Sequence, residues 1–258
     1  MKALVALVLV LAGTAHAGQL TFDPARLVDL THPFDQQTIY WPTAKPFALV
    51  PVAHGVTPGG WWYAANDFCA AEHGGTHLDA PIHFSEGRWT ADQVPLARLI
   101  GPAVLVDITD KAATDPDALL TRRDVEAAEQ RSGRVPEGAV LLVRTGWYRR
   151  WPDRKRYLGT DVPGDTAHLR FPGVDGDAAA WLTTARRIRA VGIDTASIDR
   201  GASTDFRAHR AFANANVPIF ENLDALGTLP ERGATFVGLP MKIGGGSGGP
   251  LRAIALLP

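Results

Sequence analysis

The sequence HGGTHLDAPIHF, residues 73–84, is the stretch on which the fold class and the chemistry of this chain depend. His73, His77 and Asp79 offer two imidazoles and one carboxylate, a donor set that suits zinc, manganese or ferrous iron. Three protein ligands leave coordination positions open, as a catalytic metal site requires. The stretch therefore predicts a catalytic metal site, with His83 as a proton carrier beside the ion.

The local sequence favours an extended backbone over a helix. His73 and His77 have the i, i+4 spacing of a helical metal motif, but two glycines separate them and Pro81 follows closely, and both residue types disfavour a helix. In an extended segment alternate side chains share a face. The odd-numbered groups at 73, 77, 79 and 83 would then point into one pocket. The alternative is a histidine-rich loop whose side chains make ordinary hydrogen bonds.

Short apolar runs and helical patterns alternate along the rest of the chain. Thr121 is a potential N-cap with Asp124 in the first turn, and further helical patterns cover residues 177–189 and 205–213. The mixture predicts an α/β fold with a central mixed or barrel-like β-sheet flanked by helices. Apolar runs typical of buried strands lie at residues 47–52, 103–108, 139–144, 190–194, 235–239 and 251–257.

Composition and the N-terminal sequence indicate the class of protein and its location. With 26 basic and 27 acidic residues the formal net charge is −1, which argues against a nucleic-acid-binding protein. Residues 1–17 combine a basic start, an apolar run too short to span a bilayer and a small-x-small end at Ala15-His16-Ala17. This pattern is typical of a secretory signal peptide; an uncleaved membrane anchor is the alternative. We expect a periplasmic or secreted protein with one domain over residues 18–258 and no membrane attachment after cleavage.

Two further features have simple interpretations. The only cysteine, Cys69, lies in the run Phe68-Cys69-Ala70-Ala71, which predicts a small buried apolar side chain. Residues 244–249, GGGSGG, formally match a dinucleotide-binding fingerprint. A proline and a final strand-like run follow them in place of a helix, so this match does not indicate a nucleotide site.

Residues 73–84 resemble the signature of the cyclase-like metal-dependent hydrolases, a family that includes isatin hydrolases and bacterial kynurenine formamidases. The resemblance continues in DLTHP at residues 29–33, in YWP at 40–42 and in GIDTASID at 192–199. It covers most of the chain. It implies a cyclase-like fold and a metal-dependent hydrolase that acts on an amide C–N bond.

The same resemblance implies further site residues and a cofactor. His209 and, twelve positions on, Glu221 resemble the downstream metal-site pair of the formamidases. They would complete a second metal site with Asp79 as the bridge, or they would surround a single ion with polar groups. The implied cofactor is a divalent metal ion, Mn²⁺ or Zn²⁺, and the implied assembly is a homodimer.

Aromatic side chains near the signature indicate a planar aromatic substrate, because rings of this kind stack on flat ligands. Trp41, Trp62 and Phe84 are the predicted substrate contacts, with packing in the core as the alternative for each. Trp41 lies in a segment in which formamidases use an aromatic residue for substrate contact. This chain has Trp41-Pro42-Thr43 where formamidases commonly have Trp-Pro-Gly, a departure from that branch of the family.

The predicted substrate is therefore a small aromatic amide or lactam. The resemblance implies isatin, a planar bicyclic lactam that hydrolysis opens to isatinate, as the first choice, because the wording of the signature and the mature length suit the isatin hydrolases. It implies N-formylkynurenine, the substrate of an arylformamidase, as the second. A secreted metal- or solute-binding protein without turnover is the alternative of a different class. His83 favours an enzyme, because a carrier does not need a proton-transferring group.

Overall fold

The computed structural model describes residues 23–258, which contain twelve β-strands and six α-helices. The strands are β1 Leu27–Asp29, β2 Ala48–Val56, β3 Trp62–Cys69, β4 His77–Asp79, β5 Ile100–Asp107, β6 Leu119–Leu120, β7 Val140–Arg144, β8 Gly173–Val174, β9 Ala190–Ile193, β10 Ile219–Glu221, β11 Arg232–Pro240 and β12 Gly248–Leu256. The helices are α1 Leu96–Leu99, α2 Thr109–Thr114, α3 Arg122–Ser132, α4 Arg154–Leu158, α5 Gly176–Trp181 and α6 Arg207–Asn214.

The largest sheet has eight strands in the order β1-β12-β11-β5-β7-β9-β10-β4. Because β12 also pairs with β4, seven of these strands close into a ring, and β1 lies outside the ring against β12. The central strands β5, β7 and β9 are parallel and carry runs of buried valine, leucine and isoleucine, as burial on both faces requires. The predicted α/β fold with a barrel-like sheet is confirmed.

Apolar side chains cover both faces of this sheet. On one face α3, α5 and α6 pack through side chains such as Val125, Ala179 and Phe212. On the other face Leu78 and Phe220 belong to a second buried cluster with residues of β5, β11 and β12. The short strands β4 and β10 are therefore held rigidly between two cores, and they carry most of the predicted metal ligands.

The predicted elements agree with the structure in position, with one difference in length. The five runs from 103–108 onward correspond to β5, β7, β9, β11 and β12, and Thr121 forms a capping box with Asp124 at the start of α3. The helix predicted over residues 177–189 is shorter. After α5 the chain forms a wider π-helical turn, Leu182–Arg186, and leaves the helix at Arg187, whose φ is +50°.

Strands β2 and β3 form a separate two-stranded sheet, and we call residues 48–69 the arm. The strand predicted at 47–52 is confirmed, but its predicted burial is wrong, because both faces of the arm are largely exposed. The predicted burial of Cys69, the last residue of the arm, is wrong for the same reason. An apolar pattern predicts that a segment will be buried, but it does not show whether other residues of the same chain bury it.

The predicted signal peptide at residues 1–17 and the domain boundary at residue 18 lie outside the described residues. Within residues 23–258, every helix is too short or too polar to cross a membrane.

Candidate metal centre

Three predicted metal ligands meet on the neighbouring strands β4 and β10. His77 and Asp79 are two residues apart in β4 and so share a face, and Glu221 of β10 lies directly opposite His77 in the antiparallel register. His77 Nε2 is 3.1 Å from Asp79 Oδ1 and 3.7 Å from Glu221 Oε2. Strand pairing alone therefore creates a buried group of one imidazole and two carboxylates.

His209 reaches the same group from helix α6. Its Nε2 lies 3.1 Å from Asp79 Oδ2 and 3.3 Å from Glu221 Oε1. Its Nδ1 lies 2.7 Å from Oδ2 of Asp199, which also accepts hydrogen bonds from the backbone N–H groups of Ala208 and His209. Asp199 thus fixes both the start of α6 and the ring orientation of His209. The sequence analysis missed Asp199, because nothing in the sequence links it to a histidine ten positions on.

His73 arrives through a glycine turn and is not part of β4. Gly75 has a φ of +58°, and a Cβ at this position would lie 2.5 Å from the ring of Phe34, so that only glycine fits. The turn places His73 Nδ1 2.6 Å from Asp79 Oδ1. The prediction that one extended segment aligns all the odd-numbered groups is therefore correct for His77 and Asp79 only.

His83 lies in a 3₁₀ turn, Pro81–His83, that follows β4. Its ring stacks on His73 with a centroid separation of 3.8 Å and an interplanar angle of 19°. Nitrogen atoms of these two rings and an oxygen of Asp79 lie within 4.8 Å of one another, as do ligand atoms of His77, Asp79 and Glu221. The structure thus brings the six predicted metal and acid–base residues together, with Asp79 common to both groups.

Burial and neighbouring charges act in opposite directions on the two carboxylates. Burial alone would raise the pKa of Asp79, but the attraction of His73 and the close contacts of its carboxylate with the rings of His209, His73 and His77 hold it well below its usual range. The pKa of Glu221 is raised, first by burial and then by the negative charge of Asp79. Two carboxylates so close together require positive charge nearby.

The imidazoles respond in the complementary way. Burial opposes protonation of His77 and His209, yet the surrounding carboxylates raise the pKa of each. Burial lowers the pKa of His83 to about 4, with the charge of Asp79 opposing the shift and the other imidazoles adding to it. In the metal-free chain protons on His77 and His209 therefore balance the carboxylates, and a divalent cation held by the same atoms would displace them.

The cluster fits a divalent metal ion. Within residues 23–258, His77 Nε2 is one of the few buried side-chain polar atoms without a hydrogen-bond partner. Its other nitrogen, Nδ1, faces Gly75 O at 3.0 Å, so that Nε2 is the atom left for a ligand. Imidazole nitrogens and carboxylate oxygens of this kind suit Mn²⁺ and Zn²⁺ equally.

Asn222, beside Glu221, orients His77 and was missed by the sequence analysis. Its φ is +52°, a conformation that asparagine tolerates better than most residues. Its Nδ2 donates to Gly75 O at 2.7 Å, the oxygen that also faces His77 Nδ1, and its Oδ1 accepts from Tyr157 Oη at 2.8 Å. A buried hydrogen-bond chain therefore holds the ring of His77 from behind.

The cluster forms the floor of a cavity of about 300 Å³. Of the predicted substrate contacts, Trp41 and Phe84 line this cavity. Trp62 lies on the arm, is 60% exposed and does not line this cavity. Phe206, which the sequence analysis missed, lies 5.3 Å from Phe84 between ring centroids and adds a further aromatic wall.

The chain is similar to known hydrolases over most of its length. The family model named Cyclase matches residues 28–200. Isatin hydrolase of Roseibium aggregatum is 32% identical over 207 residues, which cover 77% of this chain and 77% of that protein. Kynurenine formamidase of Sphingopyxis alaskensis is 28% identical over 230 residues, 89% of this chain and 97% of that protein. A solved isatin hydrolase bound to the product analogue thioisatinate has a TM-score of 0.81 and 30% identity, covering 90% of this chain and 92% of its own.

Proposed function

This chain belongs to the Cyclase family and is a metal-dependent hydrolase of amide C–N bonds, and we propose that its substrate is an aromatic lactam such as isatin. The observation that carries the proposal is the position of the carboxylate and imidazole cluster at the floor of an aromatic cavity. A flat ring can lie between the aromatic walls while its amide carbon faces the cluster. The relationship to isatin hydrolase, at 32% identity, supports this substrate class.

We propose that His73, His77, Asp79, His209 and Glu221 hold one or two divalent ions, Mn²⁺ or Zn²⁺. When bound, such an ion polarises a carbonyl group and lowers the pKa of a water molecule. The two oxygens of Asp79 face different imidazoles, Oδ1 those of His73 and His77 and Oδ2 that of His209. This division supports a centre of two ions that share Asp79.

His83 is the proposed acid–base group. Its ring lies at the cavity wall, and its lowered pKa keeps it neutral near pH 7, ready to accept a proton from the attacking water. The same nitrogen can then deliver the proton to the leaving amide nitrogen. In a lactam that nitrogen stays attached to the ring-opened product.

The test is a comparison of kcat/KM for isatin and for N-formylkynurenine, with the same metal ion loaded. We expect isatin to be preferred and a chelator-treated preparation to lose activity until Mn²⁺ or Zn²⁺ is restored. Full activity after removal of the metal would contradict the metal-dependent mechanism. Absence of turnover of both compounds would contradict the substrate class.

An arylformamidase acting on N-formylkynurenine is the second candidate. The kynurenine formamidase of Sphingopyxis alaskensis matches over nearly its whole length, and the pair His209 and Glu221 resembles that branch. Thr43 argues against this candidate, since formamidases commonly have glycine there. A higher kcat/KM for N-formylkynurenine would assign the enzyme to this branch and leave the metal centre in place.

We also propose a periplasmic or secreted location, which rests on the sequence of residues 1–17. The export apparatus would remove this segment, so that the mature protein begins at Gly18. N-terminal sequencing of the protein from the exporting cell, with Ala17→Asp as the cleavage-site variant, tests this location. A cytoplasmic protein that retains Met1 would contradict it.

The arm supports the proposal of a homodimer. Eight large apolar side chains in it are each more than half exposed, together on the order of 700 Å², close to the roughly 800 Å² that one partner buries in a stable interface. Asp67 is the only charged residue of the arm, so that an apolar partner is favoured over a charged one. An isolated two-stranded hairpin is marginally stable in water, and a second copy, related by a two-fold axis, would cover both arms at once.

Light scattering coupled to size-exclusion chromatography tests the homodimer on the purified mature protein. We expect twice the mass of one chain at micromolar concentration. A monomer with the arm accessible to limited proteolysis would contradict the assembly without affecting the proposed reaction.

A further inference from the structure

The glycine-rich loop at residues 244–249 presents Ser247 to the far side of His73. We propose that Ser247 and Glu72 are positioning residues that fix the ring of His73 for metal binding. The inference rests on the proposed metal-dependent function. It assigns a role to a glycine-rich sequence whose resemblance to a dinucleotide-binding fingerprint is only formal.

The hydrogen-bond directions follow from the chemistry of Glu72. A carboxylate can only accept, so the Ser247 hydroxyl, 2.5 Å from Glu72 Oε2, donates its hydrogen there. Ser247 N donates to the same oxygen at 3.0 Å. Ser247 Oγ is then left to accept from His73 Nε2, which lies 2.8 Å away.

This arrangement selects the tautomer of His73. With one hydrogen kept on Nε2, Nδ1 is the nitrogen whose hydrogen, shared with Asp79 Oδ1 2.6 Å away, a metal ion would replace. A metal ligand must present an unprotonated nitrogen. The chain from Glu72 through Ser247 therefore directs Nδ1 of His73 towards the metal centre, as a carboxylate or carbonyl behind a ligand histidine does in other metal sites.

The glycines allow this close approach. A Cβ at Gly246 would lie 2.7 Å from Glu72 Oε1, and one at Gly248 would lie 2.6 Å from His73 Cε1 and 2.5 Å from Leu78 O. Side chains at either position would push Glu72 or His73 away. The glycines at 246 and 248 are thus explained by the close contact of the loop with Glu72 and His73.

A nucleophilic serine is the competing interpretation. Residues 245–249 match the Gly-x-Ser-x-Gly pattern, and Ser247, His73 and Asp79 are connected in the order of a hydrolase triad. Two observations oppose it: Ser247 does not line the cavity, and a strand follows it in place of the helix of a nucleophile elbow. Donation of its hydrogen to Glu72 also directs the hydroxyl away from His73.

The test is a titration of the metal-free protein with Mn²⁺ or Zn²⁺ by calorimetry. We expect Ser247→Ala to weaken metal binding about 10- to 100-fold, the usual effect of removing a group behind a ligand histidine, with an unchanged unfolding temperature of the metal-free protein. Ser247→Thr keeps the hydroxyl and should restore binding. Ser85→Ala is the matched control, because its hydroxyl makes a 2.7 Å bond to Asn214 and no contact with a metal-site residue.

A double-mutant cycle tests whether the two residues act through one chain. We expect the loss in Ser247→Ala/Glu72→Ala to equal that in Ser247→Ala, because the first substitution already disconnects Glu72 from His73. Additive losses, or wild-type metal affinity in Ser247→Ala, would overturn the positioning role. Lost turnover at full metal affinity would point to the nucleophile instead. A wild-type protein that binds no metal would contradict the proposed function itself, which separates the two failures.

Discussion

The metal centre and the arm depart from the usual distribution of polar and apolar groups in opposite ways. The centre buries Asp79, Glu221, His77 and His209, each at most 4% exposed. The arm exposes apolar side chains of which Val56 is 70% exposed. Buried charge and exposed apolar surface are both unfavourable in an isolated chain. We therefore propose that each region is stabilised by a partner, a cation at the metal centre and a second copy of the chain at the arm.

The two regions are also connected. The arm leaves the body of the protein after Ala44 and returns before Ala71, and both residues line the cavity. Backbone pairing between Ala71 N and Lys45 O, at 3.1 Å, closes the base of the arm at this point. Covering the arm would thus stabilise one wall of the cavity.

The largest expected effect comes from removing a ligand of the buried metal centre. His77→Ala deletes the unpartnered Nε2 that faces both carboxylates, so metal content and turnover should fall together to background. Elemental analysis and steady-state kinetics measure the two quantities. His168→Ala is the control, because this side chain is 79% exposed at the surface. Wild-type metal content in His77→Ala would exclude His77 as a ligand.

His83→Ala should separate metal binding from catalysis. The ring of His83 lies against His73 at the cavity wall, and removal of a positioned acid–base group costs about 10²–10⁴ in kcat. Most of the metal should remain. Loss of metal as complete as in His77→Ala would make His83 a ligand and would leave the proton-transfer role to another group.

Sequence alone predicts the parts of the site that are local. His73, His77, Asp79 and His83 lie within one short stretch, and donor chemistry is enough to group them. His209 and Glu221 required the family resemblance, because the pairing of Glu221 with His77 joins strands 144 positions apart. Asp199, Asn222 and Ser247 could not be predicted, since each acts through a hydrogen bond that only the folded chain creates.

The arm shows the limit of the same reasoning for apolar residues. Aromatic residues beside the signature predict a substrate wall, and Trp41 and Phe84 meet that expectation. Trp62 lies nearer to the signature in sequence than Trp41, but it belongs to β3 and so lies on the exposed arm. Local sequence indicates which residues can stack on a ring and does not report the direction in which a hairpin extends from the body.

A charge on the arm should break the proposed dimer. Phe68 is 54% exposed and pairs in register with Leu49. Phe68→Glu would place a carboxylate in the proposed apolar interface. Where the two-fold axis passes close to residue 68, the carboxylates of the two chains would also repel each other. We expect at least about a 30-fold rise in the dimer dissociation constant, which is about 2 kcal/mol, measured by sedimentation. Val162→Glu is the control, an apolar residue 55% exposed outside the arm. Equal dissociation constants in the two variants would move the interface elsewhere.

A second buried imidazole without a hydrogen-bond partner can be compared with His77. His32 Nε2, like His77 Nε2, is buried without a hydrogen-bond partner within residues 23–258. The ring of His32 stacks on Trp151 at 4.1 Å and 4°, and its nearest carboxylate, the partly exposed Asp224, is 3.5 Å from Nδ1. Burial therefore lowers the pKa of His32 to about 4, whereas the pKa of His77 is raised. A buried imidazole nitrogen without a hydrogen-bond partner therefore indicates a cation site only where carboxylates surround it.

His32→Phe tests this distinction through acid stability, with no expected effect on metal content. The pKa of His32 is 6.5 in the unfolded chain and about 4 in the folded protein, so the unfolded state binds more protons between these values and the free energy of unfolding falls as the pH falls. The difference is worth about 3 kcal/mol over that range. Phenylalanine preserves the stack on Trp151 and removes the proton, so the variant should gain about this much relative to wild type between pH 7 and pH 4 in urea denaturation. Parallel pH profiles for the two proteins would mean that Asp224 stabilises a protonated His32 in the folded state.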